Sequence, residues 1–136
     1  MEFIIYGEPK AKGRPRFVNR GKFVSTYTPK ETLNYENLVK ISFDSQIEDK
    51  YVIQGEIKAT IKAFFSIPKS TSKKKEKSML EGNIKPTKKP DCDNIAKTIL
   101  DALNGIAYRD DSQIVELNVE KYYSHEPRVE VEVLEI

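Results

Sequence analysis

Between Pro90 and Asp111 the sequence concentrates groups that can hold a cation and act on a phosphate: Pro90-Asp91-Cys92-Asp93-Asn94, then Lys97, then Asp110-Asp111. Asp91 and Asp93 stand where a helix is expected to begin, Lys97 follows one turn in, and the second acidic pair lies just past the expected helix end. At ~5 Å and an effective dielectric near 20, a pair of carboxylates repels by roughly 3 kcal/mol. Such crowding points to a bound cation. Oxygen-only donors suit Mg²⁺ or Mn²⁺ rather than zinc, and a helix N-terminus favours anions, which keeps Asp91 and Asp93 ionised. The plainer reading is a helix cap at Asp91 or Asp93 and a turn at Asp110-Asp111.

A helix must position these groups. Projected at 100° per residue over 93–106, Ile95, Ala96, Ile99, Leu100, Ala102, Leu103 and Ile106 share one side, while Asp93, Asn94, Lys97, Thr98, Asp101 and Asn104 share the other. The pattern predicts a buried apolar face and a polar stripe containing Asp93, Lys97 and Asp101. Pro90 and Asp91 read as a start signal, and Asn104-Gly105 as a stop. For Asp111 to share an ion with Asp91 and Asp93, the chain must return to the N-terminal end of this helix. The helix rises ~15 Å and the residues from 105 to 110 span ~20 Å when extended, so the return is permitted.

Charge is segregated, although the net value of +2 hides it. Lys10, Lys12, Arg14, Arg16, Arg20 and Lys22 lie in a stretch without acids. Lysines 69, 73, 74, 75, 77, 85, 88 and 89 face only Glu76 and Glu81 in the second stretch. Basic segments beside an acidic metal site suit a polyphosphate such as nucleic acid. Lys10, Lys12, Arg14, Arg16, Arg20, Lys73, Lys74, Lys75, Lys77, Lys88 and Lys89 are therefore the candidate DNA contacts.

The chain of 136 residues, 38% hydrophobic and 32% charged, fits one soluble domain over 1–136 with a proper core. No apolar run approaches the ~20 residues of a membrane span. The N-terminus reads as a strand rather than a signal peptide, so a cytoplasmic setting is expected. The single cysteine, Cys92, excludes an internal disulfide and a cysteine-based zinc cluster, and it is expected to point into the core. His125, the only histidine, cannot build a histidine metal site alone. Tyr122-Tyr123 are expected to pack at a strand end rather than to stack on bases, and Phe23 and Tyr27 are weaker candidates for a wedge into DNA.

Along the chain, strands are expected at 3–6 and 57–67, a small hairpin at 17–27, a helix from about Thr28-Pro29 to Gln46, and a short helix near 74–81. Alternation in Val115/Leu117/Val119 and Val129/Val131/Val133 predicts two closing strands joined as a hairpin over 124–127. The expected fold is α/β of the α+β type: a mixed, mostly antiparallel sheet with a C-terminal hairpin, packed on two main helices. A free sheet edge is expected at 129–133 or elsewhere.

The block Lys89-Pro90-Asp91-Cys92-Asp93-Asn94, with Lys97, Leu100-Asp101-Ala102-Leu103-Asn104-Gly105 and Asp110-Asp111-Ser112-Gln113-Ile114-Val115, resembles the RusA-type Holliday junction resolvases. The resemblance extends to Gly7 through Phe17 and to the closing strands. It implies a homodimeric, Mg²⁺-dependent endonuclease acting on branched DNA, with Mn²⁺ as a substitute ion. It marks Asp91, Asp93 and Asp111 as the essential acidic residues and metal ligands, and Lys97 as the essential lysine. Asp101 and Asp110 read as supports to the ligands, and Asn94 as a support or simply the first helical turn. The loop before Asp110 looks about one residue shorter than in the best-known member, with Tyr108 as its aromatic. Two rival functions stand beside this one: another phosphoryl-transfer enzyme with an Asp-x-Asp metal site, and a catalytically silent protein that binds branched DNA. An EF-hand is excluded, because the loop glycine and late glutamate are missing.

Overall fold

The computed structural model describes the backbone of residues 1–11, 16–20, 23–27 and 30–136, and the side chains of 1–11 and 34–136. Lys12, Arg14 and Lys22 lie outside the described residues, as do the side chains of Arg16, Arg20, Phe23 and Tyr27.

Strand β1 (Glu2–Tyr6) is followed by β2 (Arg16–Arg20) and β3 (Phe23–Tyr27), which form the expected small hairpin. Helix α1 (Lys30–Gln46) leads to β4 (Ile57–Ser66), α2 (Lys73–Leu80) and α3 (Cys92–Ala102). A 3-10 turn (Asp111–Gln113), β5 (Ile114–Ser124) and β6 (Arg128–Glu135) close the chain. The main sheet has the order β1-β6-β4-β5. Its β1–β6 and β6–β4 pairs are antiparallel and its β4–β5 pair is parallel, so the fold is the expected mixed, mostly antiparallel α+β arrangement.

The C-terminal hairpin needs correction. The chain reverses over 124–127 as read, but β5 and β6 do not pair with each other; β4 lies between them. The linker explains this. Ser124-His125-Glu126-Pro127 lacks the Asn-Gly or Asp-Gly chemistry of a tight two-residue turn. Its four Cα steps can cover ~13 Å, enough to cross two strand spacings of ~4.8 Å over the end of β4. The parallel β4–β5 pair is closed instead by a crossover containing α2 and α3.

Period-2 alternation gives the sheet one buried face. On β4, Ile57, Ala59, Ile61, Ala63 and Phe65 are buried while Lys58, Thr60, Lys62 and Phe64 point the other way. Phe3 and Ile5 of β1 and Val129, Val131 and Val133 of β6 continue that core. Helices α1 and α3 cover it with Tyr35, Val39, Phe43, Ile95, Ile99 and Leu103. The expected free edge at 129–133 is also corrected, since β6 is interior. At the real edge strand β1, the Gln46 amide accepts from Ile4 N–H at 2.8 Å and donates to Ile4 C=O at 2.7 Å, closing part of the edge as a strand residue would. No helix among the described residues is long and apolar enough to cross a membrane.

Candidate active site

Helix α3 builds the site as its periodicity predicts. Ile95, Ala96, Ile99, Leu100, Ala102 and Leu103 are buried, and Asp93 and Lys97 are exposed. Thr98 departs from the expected polar stripe: it is fully buried, its hydroxyl donating to Asn94 C=O at 2.9 Å. That local bond removes most of the cost of burying it. The helix stops near Asn104-Gly105 as expected, and Gly105 takes φ +77, a left-handed conformation that suits glycine.

Asp91 occupies the N-cap position with extended backbone (φ −72, ψ 155), yet its side chain makes no capping hydrogen bond. The plain capping reading therefore fails at Asp91. Its exposed carboxylate projects at the helix start beside the exposed Asp93, two oxygen donors at the positive end of the helix dipole. Cys92 between them is half-buried and not part of the core, its sulfur 4.0 Å from Val119 C=O on β5. Lys97 stands one turn on in the same stripe.

Asp111 takes a different place from the one its metal role requires. Its N–H donates to Asn104 Oδ1 at 2.9 Å, and Asp101 is the acid beside its carboxyl. Asp101 lies two helical turns beyond Asp93, ~12 Å along the axis. Within one chain Asp111 thus lies by Asp101, two turns from the helix start that carries Asp91 and Asp93, with Lys97 between on the stripe. Among the described residues no three histidine, cysteine or acidic side chains are gathered to hold a metal ion. Burial raises the Asp111 carboxyl above the ordinary range, and the neighbouring Asp101 and Asp110 raise it further. The same acids, after burial itself, push the Tyr108 phenol up; its hydroxyl donates to Leu100 C=O at 2.6 Å beneath the pair.

Asp110 is the turn residue of the plainer reading. It caps the 3-10 turn by accepting from Ser112 N–H at 3.1 Å, and the bonds from Ser112 hold its carboxylate below the usual range. Gln113 completes this turn: its Oε1 accepts from Arg109 and Asp110 N–H at 2.9 and 3.0 Å, and its Nε2 donates to Ile53 and Gly55 C=O at 2.9 and 3.0 Å. Sequence reasoning left Asn104 as a stop signal and Gln113 as a motif letter, although these two amides set the position of Asp111. Asn94 is half-buried in the first turn.

Of the candidate DNA contacts, Lys10, Lys73, Lys74, Lys75, Lys77, Lys88 and Lys89 have described side chains, and all are exposed. Lys73, Lys74, Lys75 and Lys77 lie on α2, whose N-terminus is capped by Ser72 and which is anchored by buried Met79. His125 reaches Glu76 of α2 at 3.1 Å, tying the turn before β6 to that helix. Lys88 and Lys89 precede α3 directly, and Lys10 is exposed after β1.

The model of the endodeoxyribonuclease RusA family matches residues 6–134 of the chain. The chain belongs to that family. The uncharacterized protein YqaN of Bacillus subtilis (strain 168) is 41% identical to it over 138 residues, covering 100% of this chain and 96% of the relative. The family match also spans both basic segments and both closing strands.

Proposed function

We propose that the protein is a Mg²⁺-dependent endonuclease that resolves four-way DNA junctions by paired strand cuts, acting as a homodimer. The observation that carries this reading is the exposed pair Asp91 and Asp93, with Asp91 uncommitted to capping, at the start of α3 in a chain of this family. The donor chemistry fits a hard divalent cation: both groups are carboxylates and both are exposed. Bound there, Mg²⁺ or Mn²⁺ supplies Lewis-acid charge to the phosphate and the attacking water. Lys97 offers a fixed cation to a non-bridging phosphate oxygen one turn away, where it stabilises negative charge that grows during the reaction. Lys10, Lys12, Arg14, Arg16, Arg20, Lys73, Lys74, Lys75, Lys77, Lys88 and Lys89 neutralise flanking phosphates.

Asp111 enters as the third acid of the family pattern, although in one chain its carboxyl faces Asp101 rather than Asp91 and Asp93. That separation favours one rival, a protein that binds junctions without cutting them. Incubating the protein with a synthetic four-way junction and with linear duplex, with and without Mg²⁺, decides between the two. The expected result is symmetric cutting of the junction only, dependent on the ion. Junction binding without cutting in Mg²⁺ or Mn²⁺ would establish the rival.

A further inference from the structure

The sheet face opposite α1 and α3 carries a row that the nuclease reading does not use. Tyr6 of β1 lies opposite Arg128 of β6, Arg128 opposite Phe64 of β4, and Phe64 opposite Tyr122 of β5. Register partners share a face, so an aromatic–cation row crosses all four strands. Phe64 and Tyr122 stack with ring centroids 5.4 Å apart and planes at 24°. The Arg128 guanidinium sits 4.0 Å above Phe64, and Lys85 Nζ lies 5.3 Å from the Tyr122 centroid. On the opposite, core-side face, Lys121 and Lys88 lie 5.0 and 5.9 Å from the ring of the buried Phe65. About one cation–aromatic pair per 70–80 residues is usual; two adjacent rings of this row carry one each.

These rings are on the surface. Tyr6 is 64% exposed, and Phe64 and Tyr122 are half-buried on the face opposite α1 and α3. A stack that served packing alone would not need a cation on each of its two rings, Arg128 on Phe64 and Lys85 on Tyr122. The row also lies at the end of the sheet near the start of α3: Cys92 rests on β5 at Val119, three residues before Tyr122.

We propose that this end of the open sheet face is a stacking shelf for unpaired nucleotides, the single-stranded DNA that an opened branch point presents. A base takes the outer face of Tyr122 in place of Lys85, and the next stacks on Tyr6 or the rim of Phe64. Lys85 then moves from ring to phosphate. Arg128 stays in place, held by Glu130 Oε2 at 2.9 Å, Ser124 Oγ at 3.1 Å and Glu126 C=O at 2.9 Å. Base–aromatic stacking tolerates any sequence and outweighs an exposed cation–aromatic contact. Naming DNA as the occupant rests on the family reading; the shelf itself does not depend on cleavage.

Fluorescence anisotropy with the full chain tests this, using labelled oligo-dT of ~12 nucleotides and a duplex of equal length at one salt concentration. Phe64→Leu and Tyr122→Leu should each weaken oligo-dT binding about tenfold and leave duplex binding within about twofold. An oligonucleotide carrying 2-aminopurine should lose emission on binding the wild-type chain, which needs no variant to fold. Unchanged oligo-dT affinity in folded variants, equal loss on duplex, or no 2-aminopurine quenching would each overturn the shelf. Oligo-dT binding through the shelf without junction cleavage would keep the shelf and remove the resolvase; cleavage with shelf-independent binding would do the reverse.

Discussion

At the scale of single residues, the two acidic groups of α3 make different predictions. Asp91→Asn and Asp93→Asn remove exposed carboxylates with no packing role, so cleavage should fall by at least about 10³-fold while the melting temperature stays within ~2 °C. Asp111→Asn should behave differently. Its folded carboxyl keeps a proton to higher pH than an unfolded one, through burial first and then Asp101. Such a group supports folding below the unfolded carboxyl range and loses that support as pH rises through its folded pKa. At neutral pH the charged pair is therefore a small burden, and Asp111→Asn should raise the melting temperature by ~1–2 °C at pH 7, discounted for solvent screening. That gain should vanish near pH 4 in a thermal scan. Abolished cleavage together with the stability gain would mark Asp111 as a functional acid; retained cleavage would reduce it to local structure. The sequence made these residues visible but not the destination of Asp111, because the span from 105 to 110 permits either end of the helix, and the amide of Asn104 decides it.

At the scale of elements, the helix with the site was legible because its apolar side repeats at helical spacing and its ends carry start and stop residues. The sheet order was not, since alternation in β5 and β6 gives their faces but not their neighbours. The two amides that fix the frame were also hidden: Gln46 and Gln113 bond backbone groups 42 and about 60 residues away. Gln113→Ala leaves Arg109 and Asp110 N–H and the carbonyls of Ile53 and Gly55 without this partner, which should cost ~1–3 kcal/mol in urea unfolding. It should also lower cleavage by loosening the turn that carries Asp111; unfolding at the wild-type urea midpoint would show that this staple is dispensable. The basic elements divide from the catalytic one in a second comparison. Lys97→Ala should reduce the single-turnover rate far more than affinity. Replacing Lys73, Lys74 and Lys75 on α2 together with alanine should instead weaken binding and flatten its salt dependence by ~0.9 for each duplex phosphate that is no longer neutralised. Equal effects of both changes on affinity, with unchanged single-turnover rates, would contradict that division.

At the scale of the whole molecule, one chain offers one acidic helix start, and a two-fold junction needs two cuts. A symmetric dimer supplies both. The fold narrows where a partner can sit. The β1 edge is partly closed by Gln46 within the same chain, and β6 has neighbours on both sides. The remaining edge strand, β5, leaves Val115 57% and Leu117 49% exposed just beyond the 3-10 turn that carries Asp111. An edge with exposed apolar side chains is a surface that a second copy can cover. Sedimentation at micromolar concentration should therefore give about twice the 15.6 kDa chain mass. Val115→Lys combined with Leu117→Lys should shift the protein to monomer without lowering its melting temperature by more than ~2 °C. Mixing wild-type chains with Asp93→Asn chains should yield particles that nick only one strand of a junction. A lysine double variant that remains dimeric would move the interface away from β5, and a monomer that cuts both strands symmetrically within one binding event would sink the dimer altogether.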